Sequence, residues 1–108
     1  MIIEKSLLEA GYKKHVSSTY EAFKCTDTLY QKRITDSNGT KYFVNAWYYA
    51  AQPYANEGVQ FEVQFYNRND EVEMDVSLFT NDVNVAESKF DLIWLNMNLG
   101  YAEKEDDN

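Results

Sequence analysis

LYQKRITDSNGTKYFVNAWYY, residues 29–49, carries the strongest structural signal in the chain. Asn38-Gly39 tolerates the positive φ values of a two-residue type I′ turn, and β-branched and aromatic residues flank it on both sides. A turn at these residues predicts a β-hairpin with three diagnostic cross-strand pairs: Ile34–Phe43, Tyr30–Trp47 and Asp36–Lys41. The last pair joins opposite charges, which supports this register.

Both faces of the predicted hairpin carry aromatic side chains. One face holds Tyr30, Ile34, Phe43, Trp47 and Tyr49, and the other holds Leu29, Tyr42, Val44, Ala46 and Tyr48. A strand with one solvated face alternates apolar and polar residues, and this hairpin does not alternate cleanly. The pattern leaves two alternatives: both faces are covered, or one aromatic face is partly open.

A second hairpin follows at residues 59–79, VQFEVQFYNRNDEVEMDVSLF, and its alternation is regular. A loop over 67–70 gives four apolar pairs that predict a buried face: Phe65–Val72, Val63–Met74, Phe61–Val76 and Val59–Leu78. The opposite face then carries a group of acids, Glu62, Glu71, Glu73 and Asp75, with Glu62 directly opposite Asp75. Like charges that face each other across strands are destabilising, so this acidic face calls for an explanation.

Two helices are predicted outside the strands. The first is a short helix over residues 2–10, with the apolar stripe Ile3, Leu7, Leu8 and Ala10, and Gly11 ends it. The second starts at an N-cap Asn84 and ends at Gly100. The second helix has one apolar stripe for the sheet, Ala86, Phe90, Ile93, Trp94 and Met97. Its other stripe is Val85, Leu92, Leu95 and Leu99, which must pack on the first helix, a second copy of the chain or a partner.

These elements predict an α+β fold, an antiparallel sheet of consecutive hairpins with a short N-terminal helix and a C-terminal helix packed on it. With 108 residues, the chain fits a single domain, assigned to residues 1–102, and an acidic flexible tail at 103–108. We find no leader and no apolar run long enough for a membrane span. Cys25 is the single cysteine, so no internal disulfide can form, and a reduced, cytoplasmic setting is expected.

The net charge of −8 is unevenly distributed. Residues 1–50 hold seven Lys and Arg against five Asp and Glu, whereas residues 51–108 hold three against thirteen. An acidic half disfavours direct binding of nucleic-acid phosphates. It fits a basic partner, or it serves solubility alone.

The residues give no support for catalysis or for a cofactor. His15 is the only histidine, and no recognisable motif links it to Cys25. Two such ligands cannot close a zinc site, and no Gly-containing loop accompanies the acids of residues 71–75 as a calcium site would require. We therefore expect a protein that is not an enzyme and has no metal site.

The aromatic hairpin suggests a different function class. Tyr30, Phe43, Trp47 and Tyr49 could form stacking walls for a small ligand or a nucleotide. The competing interpretation is that these rings simply fill the core, where aromatics contribute most burial.

The Gln-Lys-Arg strand, the Asp-to-Gly turn, the Tyr-Phe strand and the acidic C-terminal helix together resemble small uncharacterised proteins of bacteriophages and prophages. The resemblance covers most of residues 12–101 and rests on structural motifs. It implies a non-enzymatic accessory protein that binds host machinery, and it implies no functional residues.

Three functional hypotheses follow. In the first, the acidic face binds a basic surface of a host or defence protein and mimics the charge of phosphates. In the second, the aromatic face binds a small ligand or nucleotide. In the third, the outer stripe of the second helix forms a homodimer.

Overall fold

The computed structural model describes residues 2–20, 25–37 and 39–106, with side chains described over 3–15, 28–37 and 39–97. Its elements are α1 (Ile2–Glu9), β1 (Lys13–Tyr20), β2 (Cys25–Asp36), β3 (Gly39–Tyr49), β4 (Gly58–Tyr66), β5 (Val72–Thr80) and α2 (Val83–Asp106). The five strands form one sheet in the order β1-β2-β3-β4-β5, and every neighbouring pair is antiparallel. The predicted α+β class is confirmed.

The β2–β3 hairpin exists, but its predicted register is wrong. Asp36 pairs with Gly39, so the turn lies one residue earlier than expected, and Gly39 adopts a φ of 125°. Lys41 is an extra residue without a partner on β2, since Thr35 pairs with Thr40 and Ile34 with Tyr42. Beyond this bulge the strands are shifted by one residue from the prediction, which moves one set of side chains to the other face.

The β4–β5 hairpin keeps its predicted faces although its register also differs. Val63 pairs with Val76 and Phe61 with Leu78, two residues away from the predicted partners. Because side chains alternate with a period of two, a shift of two residues leaves each side chain on its expected face. Burial is weaker than predicted on β5, where Met74 remains 40% exposed.

Helix α1 ends as its sequence predicts. The Tyr12 N–H donates to the Leu7 carbonyl at 3.0 Å and the Gly11 N–H donates to the Leu8 carbonyl at 3.1 Å, the two bonds of a Schellman motif. Gly11 supplies the left-handed residue, with a φ of 96°. Ile3 and Leu7 are buried by this geometry, whereas Leu8, predicted in the same stripe, is exposed.

Helix α2 differs from its prediction at both ends. Its N-cap is Asp82, whose Oδ1 accepts the Val85 N–H at 3.1 Å, and Asn84 lies inside the first turn. At the other end the helix continues through Gly100 to Asp106, so the predicted stop at Gly100 is wrong. Residues 103–106, predicted to begin a tail, continue the helical backbone. The flexibility of 103–108 and the domain limits stay predictions.

The hydrophobic core lies on one side of the sheet, between the strands and both helices. Its central side chains are fully buried: Leu7 from α1, Val44 and Ala46 from β3, Val59, Phe61, Val63 and Phe65 from β4, and Ala86 and Phe90 from α2. The Phe61 ring contacts Tyr12 at 6.2 Å and Phe90 at 5.4 Å between centroids, so it links the sheet to α2. The predicted sheet-facing stripe of α2 is confirmed.

Three buried tyrosines place their hydroxyls at the rim of this core, where each donates to a carboxylate. The acceptors are Glu4 for Tyr30, Asp91 for Tyr42 at 2.7 Å, and Glu57 for Tyr48. The ring of each tyrosine contributes apolar area while the hydroxyl finds an acceptor, which is how burial of a phenol becomes favourable. Burial, followed by the carboxylate hydrogen bond, raises the pKa of all three phenols well above 10.0.

Candidate functional site: the outer face of the sheet

One face of the sheet is not covered by any element within the described part of the chain. We call it the outer face, opposite α1 and α2. On β3, residues 42, 44, 46 and 48 are buried on the helix side, and residues 43, 45, 47 and 49 are half-buried on the outer face. The open aromatic face, one of the two alternatives left by the sequence, is therefore the observed arrangement.

The register aligns the outer-face side chains in rows that cross the sheet. One row contains Arg33, Phe43, Gln64 and Asp75, and the next contains Lys13, Gln31, Asn45, Glu62 and Ser77. Cations therefore lie toward β1 and β2, carboxylates lie toward β4 and β5, and polar or aromatic residues lie between them. The charge segregation along the sequence becomes a charge gradient across one surface.

The acidic end of the outer face contains two of the predicted binding residues in adjacent rows. Glu62 and Asp75 are exposed, and within the described residues neither has a salt bridge. They do not face each other as predicted, because Glu62 pairs with Ser77 and Asp75 pairs with Gln64. This arrangement lowers their mutual repulsion while keeping both carboxylates on one surface.

The other two predicted acids lie at the end of the same hairpin and are also exposed. Glu73 is the extra residue of a bulge, since Phe65 pairs with Met74 and Tyr66 with Val72. Glu71 precedes the strand, in the loop closed by hydrogen bonds to the Asn67 side chain. The four carboxylates are therefore spread along β4–β5, from Glu62 in the middle of β4 to Glu71 in the loop, and they do not form a straight row.

The predicted aromatic site is wrong in one member. Tyr30 is buried on the helix side of the sheet, with its hydroxyl on Glu4, whereas Phe43, Trp47 and Tyr49 lie on the outer face. The one-residue shift between β2 and β3 separates them. Phe79 joins the outer face instead: it is 64% exposed, and its ring lies 6.4 Å from that of Tyr49.

Phe79 also explains the glycine at the start of β4. A Cβ atom at Gly58 would come within 2.6 Å of the Phe79 ring, so the ring lies directly over the bare glycine backbone. Tyr49 pairs with Gly58 on the other side. Aromatic cover of a strand glycine in this manner pins the strand register, although nothing in the sequence at Gly58 alone predicts it.

The second stripe of α2 is exposed where the structure describes it. Leu92 and Leu95 are 60% and 50% exposed, and Val85 is 45% exposed. The side chain of Leu99 lies outside the described residues. That this stripe forms a homodimer stays a prediction.

The cationic end of the outer face was not singled out by sequence reasoning. Lys13, His15 and Arg33 converge there with Gln31 and Phe43 around a depression of about 350 Å³. These residues are far apart in the sequence and come together only through the β1–β2 and β2–β3 pairing. The sequence pattern therefore does not reveal the cluster. The available signal was the clustering of Lys and Arg in residues 1–50 of an acidic chain.

No cluster typical of a metal site appears in the described residues. No three His, Cys, Asp or Glu side chains come together there as metal ligands. The Cys25 side chain lies outside the described residues. The expectation that His15 and Cys25 form no catalytic pair therefore stays a prediction. A polar group beneath α2, in which Lys32 binds Glu87 at 3.1 Å, is packed into the helix–sheet contact.

That polar group includes the hydroxyl of Tyr12, which is buried without a hydrogen-bond partner among the described residues. Burial, reinforced by the Glu87 carboxylate, raises the pKa of the Tyr12 phenol. A phenol that holds its proton so firmly is a poor base or nucleophile at neutral pH. We therefore assign a structural role to this polar group.

None of the helices in the described ranges combines the length and apolar character of a membrane span. Comparison of the chain with protein-family models, with curated proteins and with solved structures finds no match.

Proposed function

We propose that this protein is a non-catalytic interaction domain whose acidic outer face binds a basic surface on another protein. The observation that carries the proposal is the position of Glu62 and Asp75. Both are exposed on a sheet face that no described element covers, and neither has a salt bridge within the described residues. Aromatic side chains beside them, Trp47 and Phe79 among them, supply apolar contact area.

This combination matches the general anatomy of protein interfaces. Aromatic residues are enriched at the centre of such interfaces, while charged groups at the rim set the association rate and the choice of partner. A basic partner would also relieve the repulsion among the carboxylates that are spread along β4–β5. The sequence resemblance to small phage proteins favours a host or defence protein as that partner, and a nucleic-acid-binding surface is the basic surface we expect.

Charge reversal tests the proposal. We expect Asp75→Lys to weaken binding to the partner about tenfold at low salt, equivalent to about 1.4 kcal/mol. The difference between wild type and variant should shrink near 1 M salt, where the Debye length is about 3 Å. The measurement is capture of proteins from a bacterial lysate, followed by the Kd of each purified protein that the wild type retains.

The matched control is Glu9→Lys, which changes the net charge equally at an exposed position of α1. If both variants lose binding to the same extent, only the total charge matters and the acidic outer face is not the binding surface. If neither variant differs from the wild type at any ionic strength, these acids serve solubility and the proposal fails.

A further inference from the structure

The depression at the cationic end of the outer face differs in chemistry from the rest of the molecule. It lies where β1 begins beside β2, and its lining includes Gly11, Lys13, His15, Gln31, Arg33 and Phe43. Among the described residues that line it there is no Asp or Glu, in a chain whose net charge is −8. At about 350 Å³, its volume falls in the range of small-molecule sites.

Arg33 is held in place at this depression before any ligand arrives. Its guanidinium lies 4.9 Å from the centroid of the Phe43 ring, and its Nη1 donates to Thr40 Oγ1 at 3.2 Å. These contacts engage one of the several guanidinium N–H donors and leave the others for a ligand. An arginine fixed by stacking loses little freedom when it binds an anion.

Other polar side chains lie beside Arg33 at the depression. Lys13 lies opposite Gln31 in the β1–β2 pairing, and His15 is the extra residue at the β1 bulge. The Gln31 amide is oriented by its own hydrogen bond to Asn45 Oδ1 at 2.7 Å. Lys32 also borders the depression, but its ammonium binds Glu87 on the other side of the sheet.

We propose that this depression binds a phosphate monoester of a small planar molecule. The phosphate would accept hydrogen bonds from the Arg33 guanidinium, which matches its geometry in a two-pronged manner, and Lys13 would add a second positive charge. The planar group would lie against the part of the Phe43 ring that lines the depression and that the Arg33 guanidinium does not cover. This site is separate from the acidic end of the outer face, so the proposal can be tested independently of the proposed function.

Phenyl phosphate is the simplest probe, because it contains only the two groups in question. We expect saturable chemical-shift changes at Gln31, Arg33 and Phe43 in an NMR titration at low salt. Inorganic phosphate should bind at least about threefold more weakly, and phenol should not bind. Arg33→Gln should weaken phenyl phosphate binding about tenfold or more, since it removes the charge-assisted, two-pronged hydrogen bonds to the phosphate.

Lys89→Gln is the matched control, since it removes one positive charge from an exposed position on α2. It should change the affinity less than about twofold, an effect of long-range charge alone. Arg33→Lys keeps the charge but loses the planar fork, and it should fall between wild type and Arg33→Gln. Circular dichroism of each variant verifies the fold.

Three results would overturn the proposal. The first is the absence of any saturable shift with phenyl phosphate. The second is equal affinity for inorganic phosphate, which would remove the planar group from the site. The third is an equal loss in Arg33→Gln and Lys89→Gln, which would reduce the effect to net charge.

Discussion

The buried tyrosines show how a single residue can bury its ring in the core and also donate a hydrogen bond to a carboxylate of this acidic chain. Tyr42 is 2% exposed, its ring contacts Phe65 and Phe90, and its hydroxyl donates to Asp91 at the core rim. Phenylalanine would bury the same ring without anchoring α2 to the sheet. Each tyrosine–carboxylate hydrogen bond therefore fixes the position of an element as well as filling space.

We expect Tyr42→Phe to lower the free energy of unfolding by about 1 kcal/mol at pH 7, through loss of the hydrogen bond to Asp91. Burial and this hydrogen bond raise the phenol pKa above its ordinary value of 10.0, so the folded state keeps the proton longer than the unfolded chain. The contribution is therefore complete below about pH 10 and decreases as the pH rises above it.

Urea denaturation at pH 8 and at about pH 10.5 measures both effects. Wild type should lose more stability over that interval than Tyr42→Phe does. Tyr54→Phe is the control, because Tyr54 is fully exposed and should leave stability unchanged at both values. An identical pH response in Tyr42→Phe and wild type would contradict the assigned role of the phenol.

The hairpins and helices show which local features a sequence encodes reliably. The β4–β5 faces were predictable because Val59, Phe61, Val63 and Phe65 alternate strictly, and an error of two residues in register changes no face. The β2–β3 faces were not predictable, because Lys41 forms a bulge and both faces carry aromatics. Without a polar face, the pattern contains no signal that distinguishes one register from the next.

The start of α2 gives a direct test of capping. Asp82→Ala should lower the free energy of unfolding by about 1 kcal/mol, because its carboxylate caps the Val85 N–H. Asn84→Ala, at the residue that the sequence favoured as N-cap, should change stability by less than about 0.5 kcal/mol. Thermal denaturation of both variants decides between the two caps, and the opposite ranking would contradict the observed helix start.

At the scale of the molecule, one face of the sheet is buried against the two helices, and no element in the described part of the chain covers the other face. The α+β class follows from the order of periodic segments, so the sequence suffices to predict that class. The strand order and the strand β1 were not predicted. The candidate surfaces could be predicted only in part. Glu62 and Asp75 are close in one regular hairpin, whereas Lys13 and Arg33 meet through strand pairing that the sequence pattern does not specify.

Because the core lies on one side of the sheet, substitutions on the two faces should lower the free energy of unfolding by different amounts. Phe61→Ala should cost about 3–5 kcal/mol, because the ring is fully buried and contacts both Tyr12 and Phe90. Phe79→Ala, on the outer face, should cost about 1 kcal/mol. Guanidinium denaturation of the two variants provides the comparison, and equal losses would mean that the outer face is part of the core.

The meander order of the sheet has a consequence for folding kinetics. Each strand pairs only with strands adjacent to it in the chain, so each pairing closes a short loop and loses little chain entropy beforehand. We expect the docking of α2 to follow, because its Phe90 must reach Phe61 on β4 across the intervening strand β5. This architecture therefore favours formation of the sheet before docking of the helix.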